Sequence, residues 1–143
     1  MTSKTRITRI LPAGLNERGE NHQVVTVTGG GGSYRRTPCE NCPWRVDAVG
    51  EFPPEAFRHS ARTAYDMAQE SFACHASGSA KPSTCAGFLL RGAAHNLGIR
   101  LKQMRGDCLD VRDGGHELHK NYRAMAIANG VPADDPVLAA CRD

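Results

Sequence analysis

Four cysteines constrain this chain more than any other feature: Cys39 and Cys42 in a C-x-x-C turn, with Cys74 and Cys85 further along. The C-x-x-C spacing lets two thiolates of one tight loop face the same cation, which supplies half of a tetrahedral site. Cys74 and Cys85 lack the spacing of a second such turn, so they complete a site only by converging through tertiary structure. His75 follows Cys74 directly. Neighbouring side chains of an extended segment point to opposite faces, so one of the two is expected in the ligand set. Cys74 is the expected ligand, and His75 is the alternative ligand or a hydrogen-bond partner of a thiolate.

Zinc and a 4Fe-4S cluster both accept four cysteines. Zinc is the expected metal, and the cluster is the alternative because Cys42-Pro43 matches the C-P ending of ferredoxin ligand runs. Four thiolates on a divalent zinc carry a formal charge of about −2, which Arg35, Arg36, Arg45 and the start of a helix after Cys85 would offset. Cys108 reads as a separate buried thiol, and Cys141 as either a free thiol or a late extra ligand. A metal would matter to folding. The 143 residues suit one core, but aromatics are only 6% of the chain, and 15 glycines and 8 prolines dilute its packing. A structural zinc, with an apparent affinity of about 10–16 kcal/mol in finger peptides, would compensate for such a core.

The fold class expected is α+β: a small helix-dominated, metal-stapled domain with an N-terminal β-hairpin. Ile7–Leu11 and Gln23–Thr28 are rich in β-branched residues and flank a polar turn, which predicts antiparallel strands. Gly29–Gly32 reads as a linker, since no G-K-[ST] ending follows to hold phosphate. Residues 1–32 therefore form a hairpin extension and 33–143 the cysteine-rich domain. Pro53 and Pro54 open a first helix carrying Phe57, Ala61, Ala64, Tyr65 and Ala68. A second and longer helix runs from Thr84 to near Gly106, with Leu89, Ala93, Leu97, Leu101 and Met104 on one stripe and Arg91, His95, Lys102 and Arg105 opposite. A third helix begins near His116 and stops at Asn129-Gly130, and the tail after Pro132 is expected on the surface.

Enzyme readings meet specific obstacles. A zinc deaminase needs H-x-E or C-x-E before its P-C-x-x-C, and nothing of that form precedes Pro38. His116-Glu117-Leu118-His119 falls short of the H-E-x-x-H of metalloproteases and reads as the polar first turn of a helix. A thiol oxidoreductase would place Cys39 and Cys42 at a helix start, a setting that Pro43 and the glycine-rich approach do not provide. No catalytic residue is assigned, and no small-molecule substrate is evident.

The net charge of +3 permits an acidic partner without requiring one. Arg35, Arg36, Arg45, Arg91, His95, Lys102 and Arg105 are the candidate contacts for nucleic acid, and a protein partner is the competing reading. Trp44 reads as a core anchor over the metal loop rather than a base-stacking platform. Neither a signal peptide nor a membrane span is apparent, which places the chain in the cytoplasm, where thiols stay reduced.

The motifs P-C-x-x-C-P-W-R at Pro38–Arg45, F-x-C-H at Phe72–His75, C-A-G-F-L at Cys85–Leu89 and A-N-G-V-P at Ala128–Pro132 occur together. In these the chain, from about Arg36 to its tail, resembles an uncharacterised family of small actinobacterial and actinophage proteins, a domain of unknown function. The resemblance implies grouped cysteines and a bacterial or phage-infected cytosol, and it makes the hairpin an N-terminal addition. The function expected is that of a metal-stabilised accessory or regulatory binding module, with an iron–sulfur or thiol redox protein as the alternative.

Overall fold

Runs of β-branched residues produce the hairpin that opens the chain. In the computed structural model, which describes residues 6–16, 18–28, 33–74 and 83–141, β1 (Arg6–Leu15) pairs antiparallel with β2 (Asn21–Thr28), placing Ile10 opposite Val25 and Leu11 opposite Val24. The turn between them is organised by Asn16, whose Oδ1 accepts from the backbone N–H groups of Arg18 (3.0 Å) and Glu20 (2.9 Å). Its Nδ2 donates to the Glu51 carbonyl at 2.9 Å, which ties the hairpin tip to the body. A two-residue strand, β3 (Ser71–Phe72), adds to the free edge of β2, giving the order β1-β2-β3.

The sheet packs on α1 (Pro54–Ser60), whose first turn carries Pro54 and Glu55 and whose inner face buries Ala56, Phe57 and Ser60. A single helix reaching Ala68 is not what forms. At Ala61 the chain tightens into a 3₁₀ turn through Ala64, and Tyr65 leaves it extended to bridge Cys141. The remaining helices are α2 (Leu97–Met104) and α3 (Tyr122–Ala128), both N-capped by asparagine side chains.

The long second helix expected from Thr84 is also broken. A helical turn begins at Ala86, widens into π geometry over Phe88–Gly92, and stops before Asn96 restarts the chain as α2. Asn96 is fully buried, and its Oδ1 accepts from Ile99 N–H at 3.0 Å. Its Nδ2 donates to the carbonyls of Thr63 (3.0 Å) and Glu70 (2.8 Å). The restart rotates the expected stripe out of the core: Leu101 is 46% and Met104 82% exposed, whereas Lys102 is only 6% exposed. Asn96→Ala should cost about 3 kcal/mol, because it removes a cap and leaves two buried carbonyls without a donor. Asn96→Asp, which keeps the cap acceptor but opposes those carbonyls with a charge, should be no better. Chemical denaturation of the two variants checks both.

At the C-terminus the tail is part of the core, against the surface path expected. Asp135 caps a 3₁₀ turn at Pro136–Leu138, Leu138 is fully buried, and the Arg123 guanidinium donates to the carbonyls of Leu138 (2.8 Å) and Cys141 (2.7 Å). An apolar Leu next to a capped turn gains about 1.5–3 kcal/mol from burial, enough to draw the tail inward. At the centre sits Trp44, with no exposed surface, edge-on to Phe72 and Tyr122 at centroid distances of 6.0 and 5.8 Å. The architecture is α+β with an N-terminal hairpin. No helix among the described residues is long and apolar enough to cross a membrane.

Candidate functional site

Each of the four cysteines owes its place to backbone pairing. The Cys39–Cys42 loop closes with a Cys42 N–H to Cys39 carbonyl bond of 3.2 Å, and Asn41 takes a left-handed φ of 58°. Asparagine tolerates that conformation better than most residues. Beyond Pro43 the turn continues with Arg45 N–H donating to the Cys42 carbonyl at 2.9 Å, while the Trp44 N–H addresses the Cys42 sulfur.

Cys74 and Cys85 sit on adjacent extended segments. Cys74 N–H donates to the Ser83 carbonyl at 2.7 Å, Cys85 N–H donates to the Phe72 carbonyl at 2.9 Å, and Ala73 bridges Thr84. A third segment, Ser33–Arg35, pairs on the far side of Thr84. Cys85 then leads directly into the helical turn, its carbonyl accepting from Leu89 N–H at 3.1 Å.

All four cysteines are at least 96% buried, and their thiols form a row of neighbours in the order Cys74, Cys39, Cys42, Cys85. Cys42 Sγ lies 3.6 Å from Cys85 Sγ. The Cys39 thiol is held above its ordinary range, first by its hydrogen bond with Cys42, against the opposing contact with Cys74, and by burial. Cys42 is pushed further up. Its contact with Cys39 acts in the other direction but is outweighed by the hydrogen bond with Cys85 and by burial. Among the described residues no group of three or more His, Cys, Asp or Glu side chains is drawn together around a point that an ion would occupy.

The sequence candidates distribute unevenly. His75 lies outside the described residues, as does the Gly29–Gly32 linker. Arg35 and Arg45 both lie close enough to act electrostatically on the thiols, and Arg45 donates to the Cys39 carbonyl at 3.4 Å. Arg45 also pairs with Asp47 at 2.6 Å. Arg36 is turned away toward Asp110 (2.7 Å) and the Tyr34 ring. Arg91 and Arg105 are exposed and His95 is half-buried, whereas Lys102 is buried with Cys108 in its field. Cys108 is raised by burial, and Cys141, raised by burial to about 11, faces the Ala61 carbonyl at 3.9 Å.

Residues 117–119 were missed by the sequence reading, which placed His116–His119 in a helix. They run extended beside the cysteine loop instead: Val46 N–H donates to the Glu117 carbonyl (3.0 Å), His119 N–H to the Trp44 carbonyl (2.9 Å), and Leu118 bridges Arg45. The alternation of Glu117, Leu118 and His119 was the only signal for this. His119 is 92% buried, its Nε2 meets no hydrogen-bond partner among the described residues, and burial holds its pKa below the ordinary range.

No curated protein and no solved structure matches the chain. A family model does, across residues 34–142, from the segment beside Thr84 through the buried tail and including all six cysteines. The chain belongs to DUF6283, a family of unknown function.

Proposed function

We propose that the protein is a zinc-stapled accessory module, in which Cys39, Cys42, Cys74 and Cys85 bind one structural Zn²⁺. The observation that carries this reading is the meeting of four thiols from three separate chain segments in the interior. Isolated buried cysteines have no reason to form a row. Zinc–sulfur bonds of about 2.3 Å at tetrahedral angles set sulfurs about 3.8 Å apart, close to the 3.6 Å between Cys42 and Cys85. A 4Fe-4S cubane binds each thiolate through a different iron and holds the sulfurs well apart, so the spacing of this one pair favours a single ion, around which Cys39 and Cys74 would have to close.

Four thiolates leave zinc no open position, which points to a structural rather than a catalytic role. The resulting negative charge would fall near Arg35 and Arg45. An ion here would join the loop before Trp44 to the paired segments carrying Cys74 and Cys85, fixing three parts of a chain whose helices are each 7 or 8 residues long. The task left to such a module is binding.

Elemental analysis and an absorption spectrum of anaerobically purified protein test the proposal. One zinc per chain and no visible band is the expected result. Iron with sulfide and a brown colour would replace zinc by a cluster, and a metal-free protein of full stability would remove both.

A further inference from the structure

A cavity of about 250 Å³ opens between β2 and α1. Val24, Phe57 and Phe72 contribute apolar walls, Pro43 and Cys74 bound it on the side of the thiol row, and His22 lines it together with Phe52. The His22 and Phe52 rings stand edge to face at 4.9 Å. We infer that this cavity is a binding site for a small, neutral, planar aromatic molecule of two fused rings.

Three features select that class. The size exceeds what one ring needs, since a dry apolar cavity of about 150 Å³ accommodates benzene. The described walls offer charge no partner. No Asp, Glu, Lys or Arg is among the described residues lining the cavity, and a buried ion without a partner is strongly disfavoured. Aromatic walls, finally, favour a flat guest that meets ring edges and faces.

Asn21, His22, Gln23, Thr26 and Ser60 supply polar groups to the lining. His22 Nε2 faces Asn16 Nδ2 at 3.3 Å, on an amide whose two protons also meet the Glu51 carbonyl (2.9 Å) and Glu20 Oε1 (3.2 Å). Ser60 also lines the cavity, but its hydroxyl is engaged by the Ala56 carbonyl (3.1 Å) and the Tyr122 hydroxyl (2.6 Å). The site does not depend on the zinc reading, although Cys74 belongs to both.

Quinoline, a neutral two-ring molecule with one acceptor nitrogen, is the probe, titrated into ¹⁵N-labelled full-length protein near neutral pH. Saturable shifts centred on Val24, Phe57 and Phe72 are expected, with Kd below about 1 mM. Quinoline-2-carboxylate should bind at least about tenfold more weakly, given the cost of burying its charge. Ala56→Leu and Val24→Phe each fill the cavity and should abolish the shifts while the rest of the spectrum keeps its dispersion. Absence of saturation, shifts scattered over the surface, equal binding of the carboxylate, or retained binding in a folded filled variant would overturn the inference. Metal content of the same sample is measured separately. Zinc without quinoline binding counts against the cavity alone, and quinoline binding without zinc counts against the staple alone.

Discussion

Cys42→Ala should yield a chain without bound zinc and without a cooperative unfolding transition. Cys42 is fully buried and central in the row, with Cys39 on one side and Cys85 at 3.6 Å on the other. Its loss would leave the proposed ion three ligands and a gap facing the core. The zinc affinity of finger peptides, about 10–16 kcal/mol, is as large as the whole stability of an ordinary domain, about 5–15 kcal/mol. The helices contribute little by themselves: α1, α2 and α3 have 7, 8 and 7 residues, and helices shorter than about 12–15 residues are marginal alone.

Cys85→Ala should behave like Cys42→Ala. Cys108→Ala and Cys141→Ala, which alter buried thiols outside the row, should cost only about 1–2 kcal/mol and retain the metal. Circular dichroism melts paired with zinc content separate the two groups. A Cys42→Ala protein that melts within a few degrees of the parent would show that no ion bears the fold. Chelation of the unmodified protein offers the same comparison without a substitution, and should likewise abolish the cooperative transition.

What could be read from the sequence follows how local each cause is. The hairpin was legible because β-branched runs and a polar turn are local, and the pairing of Cys39 with Cys42 because C-x-x-C is a local turn; the approach of Cys74 and Cys85 is tertiary. The break before α2 also had a local signal, Asn96 ahead of Leu97, but the regular recurrence of Leu89, Ala93, Leu97 and Leu101 suggested continuity. Tertiary bonds from Asn96 to Thr63 and Glu70 decided against it. Lys102 was placed on a solvent face by its charge, yet its long apolar stem can be buried when a helix rotates. The strand-like run at 117–119 and the buried Leu138 depend on distant partners, Trp44–Val46 and Arg123, which no window of sequence contains.

Gly87→Ala and Gly92→Ala should both destabilise the fold, for reasons that a change at Trp44 can separate. A Cβ at residue 87 would lie 2.4 Å from Trp44 Cβ and 2.6 Å from its Cγ; at residue 92 it would lie 2.4 Å from Cη2 and 2.7 Å from Cζ2. The two glycines thus receive opposite ends of one fully buried side chain. Alanine is favoured over glycine by about 1 kcal/mol in a helical setting, but overpacking costs about 1–3 kcal/mol, and more where the blocked atom is next to the backbone. The clash should win at both positions, with Gly87→Ala losing about 3 kcal/mol and Gly92→Ala about 1–2 kcal/mol. Trp44→Phe removes the far ring but keeps Cβ and Cγ. In that background Gly92→Ala should become neutral or stabilising by up to about 1 kcal/mol, as the new methyl group enters vacated space, whereas Gly87→Ala should lose nearly as much as before. Double-mutant cycles from denaturant titrations should therefore give a coupling of about 2 kcal/mol for residue 92 and close to zero for residue 87. Equal coupling at both sites would mean that Trp44 does not span the turn between Cys85 and α2. That turn follows Cys85 directly and Trp44 lies two residues beyond Cys42, so the same ring would then no longer explain how these two halves of the thiol row are held against each other.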